Sequence, residues 1–325
     1  MNKKNNCKKY FLTLVLIVGV QFQAETFHNL MLPDALKQGN AYFIECTGFQ
    51  QGSVLQFEFS DKSKSPKFPL VRFPVQTRRG LMRLNVKYVT AFLTGIHPLA
   101  HPGPGLIKVF NKNDKLLYTI KVVIEAVQWK KEVIALNNML SNLVTKPDPE
   151  KEIQAKRYQE ILNTVSQSHV WLIDRLQVPV VKARVTSEFG TQRHYVYANG
   201  SKNISFHAGV DFGKEQDTYI YASGSGRVVF AENRIITGNT AIIEHLPGVY
   251  SIYMHMENLK VKTLDNVTAG MVIGVMGSTG LATGTHLHWE TRICNVPVDP
   301  MSLVHIDFFS KLHTINTTQE GGDFN

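Results

Sequence analysis

The chain has 325 residues, of which 43% are hydrophobic and 19% are charged, and its formal net charge is +9 at pH 7. This length favours two domains, and the composition excludes a largely disordered chain. The positive charge favours an anionic partner such as a nucleic acid, a membrane face or a cell-wall polymer. Because the sequence has no long lysine or arginine run, we expect no nucleic-acid partner.

Residues 1–24 are predicted to be a signal peptide, because several lysines precede the short apolar run YFLTLVLIVGV. We therefore expect export to the periplasm or cell envelope, with cleavage after Ala24. Phe22 is unfavourable near such a cleavage site, so an uncleaved membrane anchor is the alternative. After cleavage Cys46 and Cys294 remain, and they are expected to be separate buried thiols.

Residues 25–125 are predicted to form an immunoglobulin-like β-sandwich. In SVLQFEFS, apolar residues alternate with polar ones, so Leu55 and Phe57 should point to the core. GLIKVF and LLYTIKVVI flank a turn-rich tetrad and predict a hairpin. Nothing in this module resembles a functional site.

Residues 126–177 are predicted to be a helical hairpin that links two β domains. Four apolar residues of its first half recur at helical spacing: Val133, Leu136, Leu140 and Leu143. Asp148 can cap the second helix, with Pro149 at its first position.

Residues 178–310 are predicted to be a curved antiparallel β-sheet domain with a groove, and residues 311–325 to be a flexible tail. Short apolar runs alternate with glycine-rich turns, as in DTYIYASGSGRVVF and VTAGMVIGVMGSTG. Such alternation favours a strongly curved sheet, in whose groove an extended peptide could lie.

Two short segments of this domain predict a metal site. HAGVDFG places His207 and Asp211 four positions apart, and GTHLHWE places His286 and His288 two apart. Residues an even number apart on a strand share one face, so two strands could present two histidines and one carboxylate to a common point. This donor set suits zinc in a catalytic site. Spacing alone does not show which of His286 and His288 is the ligand.

Three ligands from these four candidates leave one histidine, His286 or His288, for proton transfer. YSIYMHM supplies another candidate for that role, His255. Ser251, Tyr253 and His255 alternate with apolar residues, which predicts that His255 lies on the polar face of a strand. Zinc lowers the pKa of a bound water towards neutrality, but the reaction still needs a base and an acid.

In this order, His-x3-Asp, Tyr-x-His and His-x-His resemble the lysostaphin-type zinc endopeptidases, which cut bacterial cell-wall peptides. The resemblance runs from about Val185 to Leu303. It implies one zinc ion per chain and peptidoglycan peptide stems as the substrate, with D,D cross-links favoured by the export signal and the upstream module. The implied zinc ligands are His207, Asp211 and His288, and the implied catalytic residues are His255 and His286.

Two other functions are weighed against this one. A silent cell-wall-binding or activator module of the same fold typically lacks ligands or catalytic histidines, whereas all five residues are present here. A non-haem iron oxygenase also uses two histidines and one carboxylate, but its usual signature places the carboxylate two residues after the first histidine. Arg193 and Tyr195 are further candidates for holding substrate, and His245 is expected in a turn.

Overall fold

A computed structural model of the chain is mostly β-sheet, as the sequence predicts. The structure describes residues 28–33, 35–77, 85–166, 175–215 and 217–306. The predicted signal peptide and the predicted tail lie outside these residues. Within the described part of the chain, no helix combines the length and the apolar character needed to span a membrane.

An eight-stranded sheet occupies the region predicted as a β-sandwich, in the order β1-β3-β6-β5-β4-β7-β8-β2. The strands are β1 Asn29–Met31, β2 Leu36–Lys37, β3 Ala41–Thr47, β4 Val54–Glu58, β5 Phe68–Thr77, β6 Asn85–Gly95, β7 Gly103–Phe110 and β8 Leu116–Glu125. Leu55 and Phe57 are buried and β7 pairs with β8 as a hairpin, which confirms two of the predictions. The immunoglobulin-like arrangement stays a prediction.

The predicted linker contains both helices, α1 Asn138–Thr145 and α2 Pro149–Asn163, but also a strand, β9 Lys131–Ala135. The Asp148 side chain accepts a hydrogen bond from the Glu150 amide, as expected of a cap. The helical prediction for Val133 is wrong. Val133 lies in β9, because the backbone of this segment pairs with a strand of the C-terminal region. The residue is 73% exposed.

The two helices pack on the C-terminal region through separate apolar clusters. Tyr158 and Leu162 of α2 join a cluster with Ile242 and Ile252. Leu140 of α1 belongs to another cluster, together with Tyr197, Leu281 and Leu136. The helices therefore belong structurally with the C-terminal region, although the domain boundaries themselves stay a prediction.

The C-terminal region contains a ten-stranded sheet with the central order β10-β13-β20-β17-β16-β15-β18, and a three-stranded sheet in the order β12-β11-β9. The remaining strands of the ten-stranded sheet pair outside this central order: β14 with β19, β19 with β17, and β21 with β20. The strands are β10 Arg184–Ser187, β11 Gln192–Val196, β12 Lys202–Phe206, β13 Gly209–Gly213, β14 Tyr219–Tyr221, β15 Gly226–Arg234, β16 Gly238–Leu246, β17 Val249–Leu259, β18 Asn266–Val267, β19 Val272–Met276, β20 Leu287–Ile293 and β21 Val296–Val298. A short helix, α3 Pro300–His305, follows the last strand.

Cys46 and Cys294 are both buried and unbridged, as the sequence predicts. The two β modules touch directly, since a Cβ added at Gly95 would lie 2.5 Å from Cγ1 of Val298. The described residues of the two β modules thus share one hydrophobic core cluster, while the helices of the linker pack on the C-terminal region.

His245 is fully buried on β16, so its predicted position in a turn is wrong. Its Nδ1 lies 2.8 Å from the Ser225 carbonyl oxygen and its Nε2 lies 2.7 Å from Ser251 Oγ. Burial lowers the pKa of His245 to about 4, so this residue is neutral in the folded chain near pH 6.

We expect the free energy of unfolding to decrease as the pH falls from about 6.5, the pKa of an unfolded histidine, to about 4. The unfolded chain then binds a proton at His245 that the folded chain excludes, an effect on the order of 3 kcal/mol. Urea titrations should show a flatter pH dependence for His245→Gln and no change for His101→Gln, which alters an exposed histidine. An unchanged slope in His245→Gln would contradict the assignment.

Candidate metal centre

Two neighbouring strands hold two of the predicted ligands opposite each other. β13 and β20 are antiparallel, and their register pairs Asp211 with His288. His207 lies just before β13, where its amide donates to the Thr191 carbonyl oxygen at 2.8 Å. All three side chains are buried. The structure therefore brings together the three residues that the resemblance implied as ligands.

The three facing atoms form a small triangle. Asp211 Oδ1 lies 3.0 Å from His207 Nε2 and 2.8 Å from His288 Nδ1, and the two nitrogens are 2.9 Å apart. Zinc–ligand bonds of about 2.0–2.1 Å in a tetrahedral arrangement separate ligand atoms by roughly 3.3 Å. The triangle is therefore close to the size that a zinc ion requires.

The opposite nitrogen of each ligand ring is already in use. His207 Nδ1 donates to the Glu188 carbonyl oxygen at 2.9 Å, and His288 Nε2 donates to Glu290 Oε1 at 3.0 Å. Such outer partners fix the tautomer and the ring orientation of metal-binding histidines. Each ring can therefore direct a lone pair at the centre of the triangle. Two nitrogen donors and one carboxylate, with no cysteine, fit zinc.

The charges around the triangle favour a cation there. Burial opposes ionisation of Asp211, but the close contacts of its carboxylate with His207 and His288 bring its pKa well below the usual range. Burial would lower the pKa of His288, yet its hydrogen bonds to Asp211 and Glu290 raise it to about 9. Without a metal the His288 proton balances the charge of Asp211. A divalent ion can take the place of that proton.

Glu290 supports His288 from behind and was missed in the sequence. Burial would raise its pKa, but Arg292 and His288 lower it to about 2. Arg292 Nε donates to Glu290 Oε2 at 2.9 Å, and the Tyr158 hydroxyl donates to the same oxygen at 3.4 Å. Glu290 follows His288 by two residues on one strand face, so the pattern used for the histidines could also have found it. No comparable signal points to Tyr158, which comes from α2.

His255 and His286 lie beside the triangle, with their ring centroids 4.8 Å apart. His286 Nε2 is 4.0 Å from Asp211 Oδ1, farther than His288, which supports His288 as the ligand of the pair. His255 Nδ1 donates to the Thr279 carbonyl oxygen at 2.8 Å, and His286 Nδ1 donates to that of Gly284 at 2.8 Å. The Nε2 atom of each ring is thus the one left with a free lone pair.

The position of His255 does not come from simple alternation along β17. The backbone at His255 has a φ of +62°, and the pairing of β17 with β16 is irregular around it. A bulge of this kind turns a side chain away from the direction that period-two alternation gives. Burial and the charges of His286 and His288 lower the pKa of His255 to about 3, which keeps its ring neutral.

A groove opens beside these residues, as predicted. Its lining includes Glu132, Ile134 and Leu136, which come from β9 and the residue after it. The other parts come from three regions: Thr186, Ser187 and Asp211; Arg193 and Tyr195; and His255, Leu281 and Thr283–His286. The linker therefore contributes to the lining of the groove, where the sequence predicted only a spacer.

Arg193 lies in β11 and contacts a predicted ligand directly. Its Nη2 donates to Asp211 Oδ2, and its Nε donates to Glu132 Oε1 at 2.6 Å. Burial lowers the pKa of Arg193, but the charges of Asp211 and Tyr195 and the hydrogen bonds to Asp211 and Glu132 together raise it overall. Glu132 was also missed, since no spacing rule connects residues 61 positions apart.

The C-terminal region of the chain is similar to a known protein family and to several of its members. Residues 205–300 match the model described as Peptidase family M23. The chain is 37% identical over 125 residues to the DD-carboxypeptidase/endopeptidase Mpg of Neisseria meningitidis serogroup B, covering 38% of this chain and 28% of that protein. It is 35% identical over 120 residues to the peptidoglycan DD-endopeptidase ShyA of Vibrio cholerae, covering 37% of this chain and 27% of that protein.

The chain spans little more than a quarter of the length of these relatives. A crystal structure of a Pseudomonas aeruginosa protein assigned to peptidase M23 superposes with a TM-score of 0.55 and 19% identity, covering 84% of this chain and 96% of the other. That likeness extends the shared fold beyond the matched residues. Residues 205–300 are therefore the part of the chain that matches peptidase family M23, the lysostaphin-type metallopeptidases that the sequence motifs resemble.

Proposed function

We propose that the protein is an exported zinc endopeptidase that hydrolyses D,D peptide cross-links of peptidoglycan. One observation carries the proposal: three buried ligand atoms within 3.0 Å of one another lie beside two imidazoles with free Nε2 atoms, on a peptide-sized groove. The names of the relatives, which are peptidoglycan DD-endopeptidases, support the substrate class. The basic N-terminus and apolar run support export to the periplasm or cell envelope, with an uncleaved anchor as the alternative.

His207, Asp211 and His288 would hold one zinc ion. When bound, zinc supplies a Lewis acid that activates water and polarises a carbonyl group. The chain's own residues then manage protons and charge. His255 is neutral and anchored through Nδ1, so its Nε2 can accept a proton. His286 is oriented in the same way, and in its protonated form it can stabilise negative charge that develops on the substrate.

The groove suits an extended peptide for a geometric reason. Its lining comes from several elements, among them β9 and the loop before β20, and it includes His255 and His286. A peptide bound in this groove would therefore lie beside both histidines. A silent binding module would have no need for two such anchored imidazoles beside a metal triangle.

We expect protein purified without added metal to contain about one zinc per chain by elemental analysis, and little iron. Asp211→Ala should lose both the zinc and the activity, because it removes the only carboxylate of the triangle. Asp217→Asn alters an exposed aspartate, keeps a residue that tolerates the positive φ at this position, and should keep both. Full zinc occupancy in Asp211→Ala would show that the ligand assignment is wrong, and iron in the purified protein would favour an oxygenase.

His255→Asn and His286→Ala should keep the fold and most of the zinc, but each should lose about 10²-fold or more in turnover, the usual scale for a general acid or base. Asn is chosen at position 255 because it tolerates a positive φ. Turnover and zinc content are measured on the same preparations. Near-normal turnover in His255→Asn would exclude a catalytic role. Equal loss of zinc in His286→Ala and His288→Ala would mean that the division of the pair into one ligand and one catalyst is wrong.

Digestion of purified peptidoglycan tests the substrate. We expect cross-linked dimers from a D,D-cross-linked wall to become monomers, identified by mass spectrometry, whereas His286→Ala should release none. A wall joined by glycine bridges should be cleaved more slowly. Binding to the wall by zinc-loaded protein without any released fragment would favour the silent binding module instead.

A further inference from the structure

We propose that Arg193 and Glu132 are positioning residues for the metal ligand Asp211, and that strand β9 of the linker is therefore part of the metal centre. Both residues precede the match to the family model, which begins at residue 205, and Glu132 also precedes the wider resemblance that begins near Val185. Arg193 can have this role only if the metal site proposed above exists.

The two oxygens of Asp211 have separate partners. Oδ1 faces the two histidine nitrogens at 3.0 and 2.8 Å, whereas Oδ2 accepts a hydrogen bond from Arg193 Nη2. Rotation of the carboxylate would break the bond to Arg193 as well as the contacts to the histidines. Arg193 therefore fixes the plane of the carboxylate and leaves one oxygen, Oδ1, for the metal.

Arg193 is itself held from the other side. In the parallel pairing of β9 with β11, Glu132 lies directly opposite Arg193, and its carboxylate accepts from Arg193 Nε at 2.6 Å. The guanidinium is a rigid fork, so two of its nitrogens can bond two carboxylates at the same time. The hydroxyl of Ser187 lies within 3.4 Å of both Glu132 oxygens and 3.3 Å from His207 Nδ1. The same cluster therefore touches two of the three ligands.

The charge of Glu132 has a second effect. An arginine in contact with a metal ligand would by itself repel a divalent ion, and the side chain of Arg193 is only 15% exposed, so water screens it poorly. Glu132 balances this charge, and the Arg193–Glu132 pair is neutral as a unit. Asp211 is thus oriented by a cation without net repulsion of the metal.

The test measures zinc affinity and not catalysis. Metal-free full-length protein is titrated with zinc against a chromophoric chelator, and the visible absorption of the cobalt-substituted protein reports the ligand geometry. Arg193→Lys keeps the charge but loses the fork, and Glu132→Gln leaves the charge of Arg193 unbalanced. Each is expected to weaken zinc binding about 10-fold or more, the scale for lost outer partners, and to alter the cobalt spectrum.

A matched control is the ion pair of Arg157 with Glu232, which has bidentate bonds of 2.6 and 2.7 Å on the surface. Glu232→Gln should leave the affinity and the spectrum unchanged. If Glu132 acts through Arg193, then Glu132→Gln should change the affinity less than about threefold in an Arg193→Gln background. Thermal midpoints of the metal-free variants report whether each one is folded.

Affinities of Arg193→Lys and Glu132→Gln within twofold of the unmodified chain, with unchanged cobalt spectra, would overturn the positioning role. An unmodified chain that binds no zinc would instead overturn the proposed function. A full 10-fold effect of Glu132→Gln in the Arg193→Gln background would show that Glu132 acts independently of Arg193, and would also overturn the proposal. If Glu132→Gln does not fold, Arg193→Lys alone decides the question.

Discussion

The antiparallel register of β13 and β20 places Asp211 opposite His288, and the chemistry of the chain depends on this pairing. A shift of either strand by one residue would send its side chain of the pair to the opposite face of the sheet and separate Asp211 from His288. Two neighbours secure the register. Trp289 is fully buried on the opposite face. Gly209 allows the backbones to approach closely, since a Cβ there would lie 2.3 Å from the Trp289 carbonyl oxygen.

Charges of alternating sign surround this pair and explain how so many ionisable groups can be buried together. On one side, Asp211 is followed by Arg193 and then Glu132. On the other, His288 is followed by Glu290 and then Arg292. Each group is compensated by its neighbour, which offsets the cost of removing charges from water. The centre of the arrangement still directs three acceptor atoms at one point, which a cation can satisfy.

The linker supplies one charged residue and one hydrogen-bond partner to these two rows, although its sequence suggests only two helices. Glu132 of β9 ends one row, and Tyr158 of α2 reaches Glu290 in the other. The same segment also lines the groove. The family match alone would place the candidate site within residues 205–300. The contacts extend this site to strands and helices that precede that range.

Much of the site could be predicted from the sequence, because local spacing carries it. His207 and Asp211 are four residues apart and His286 and His288 are two apart, so period-two geometry puts the members of each pair on one face. The cap at Asp148 depends only on its own helix. The tertiary structure alone decided three other features. The bulge at His255 depends on how β16 pairs with β17, and the strand at Val133 exists because β11 offers it a partner. Glu132 reaches Arg193 across 61 residues, and only the folded register can bring such distant residues together.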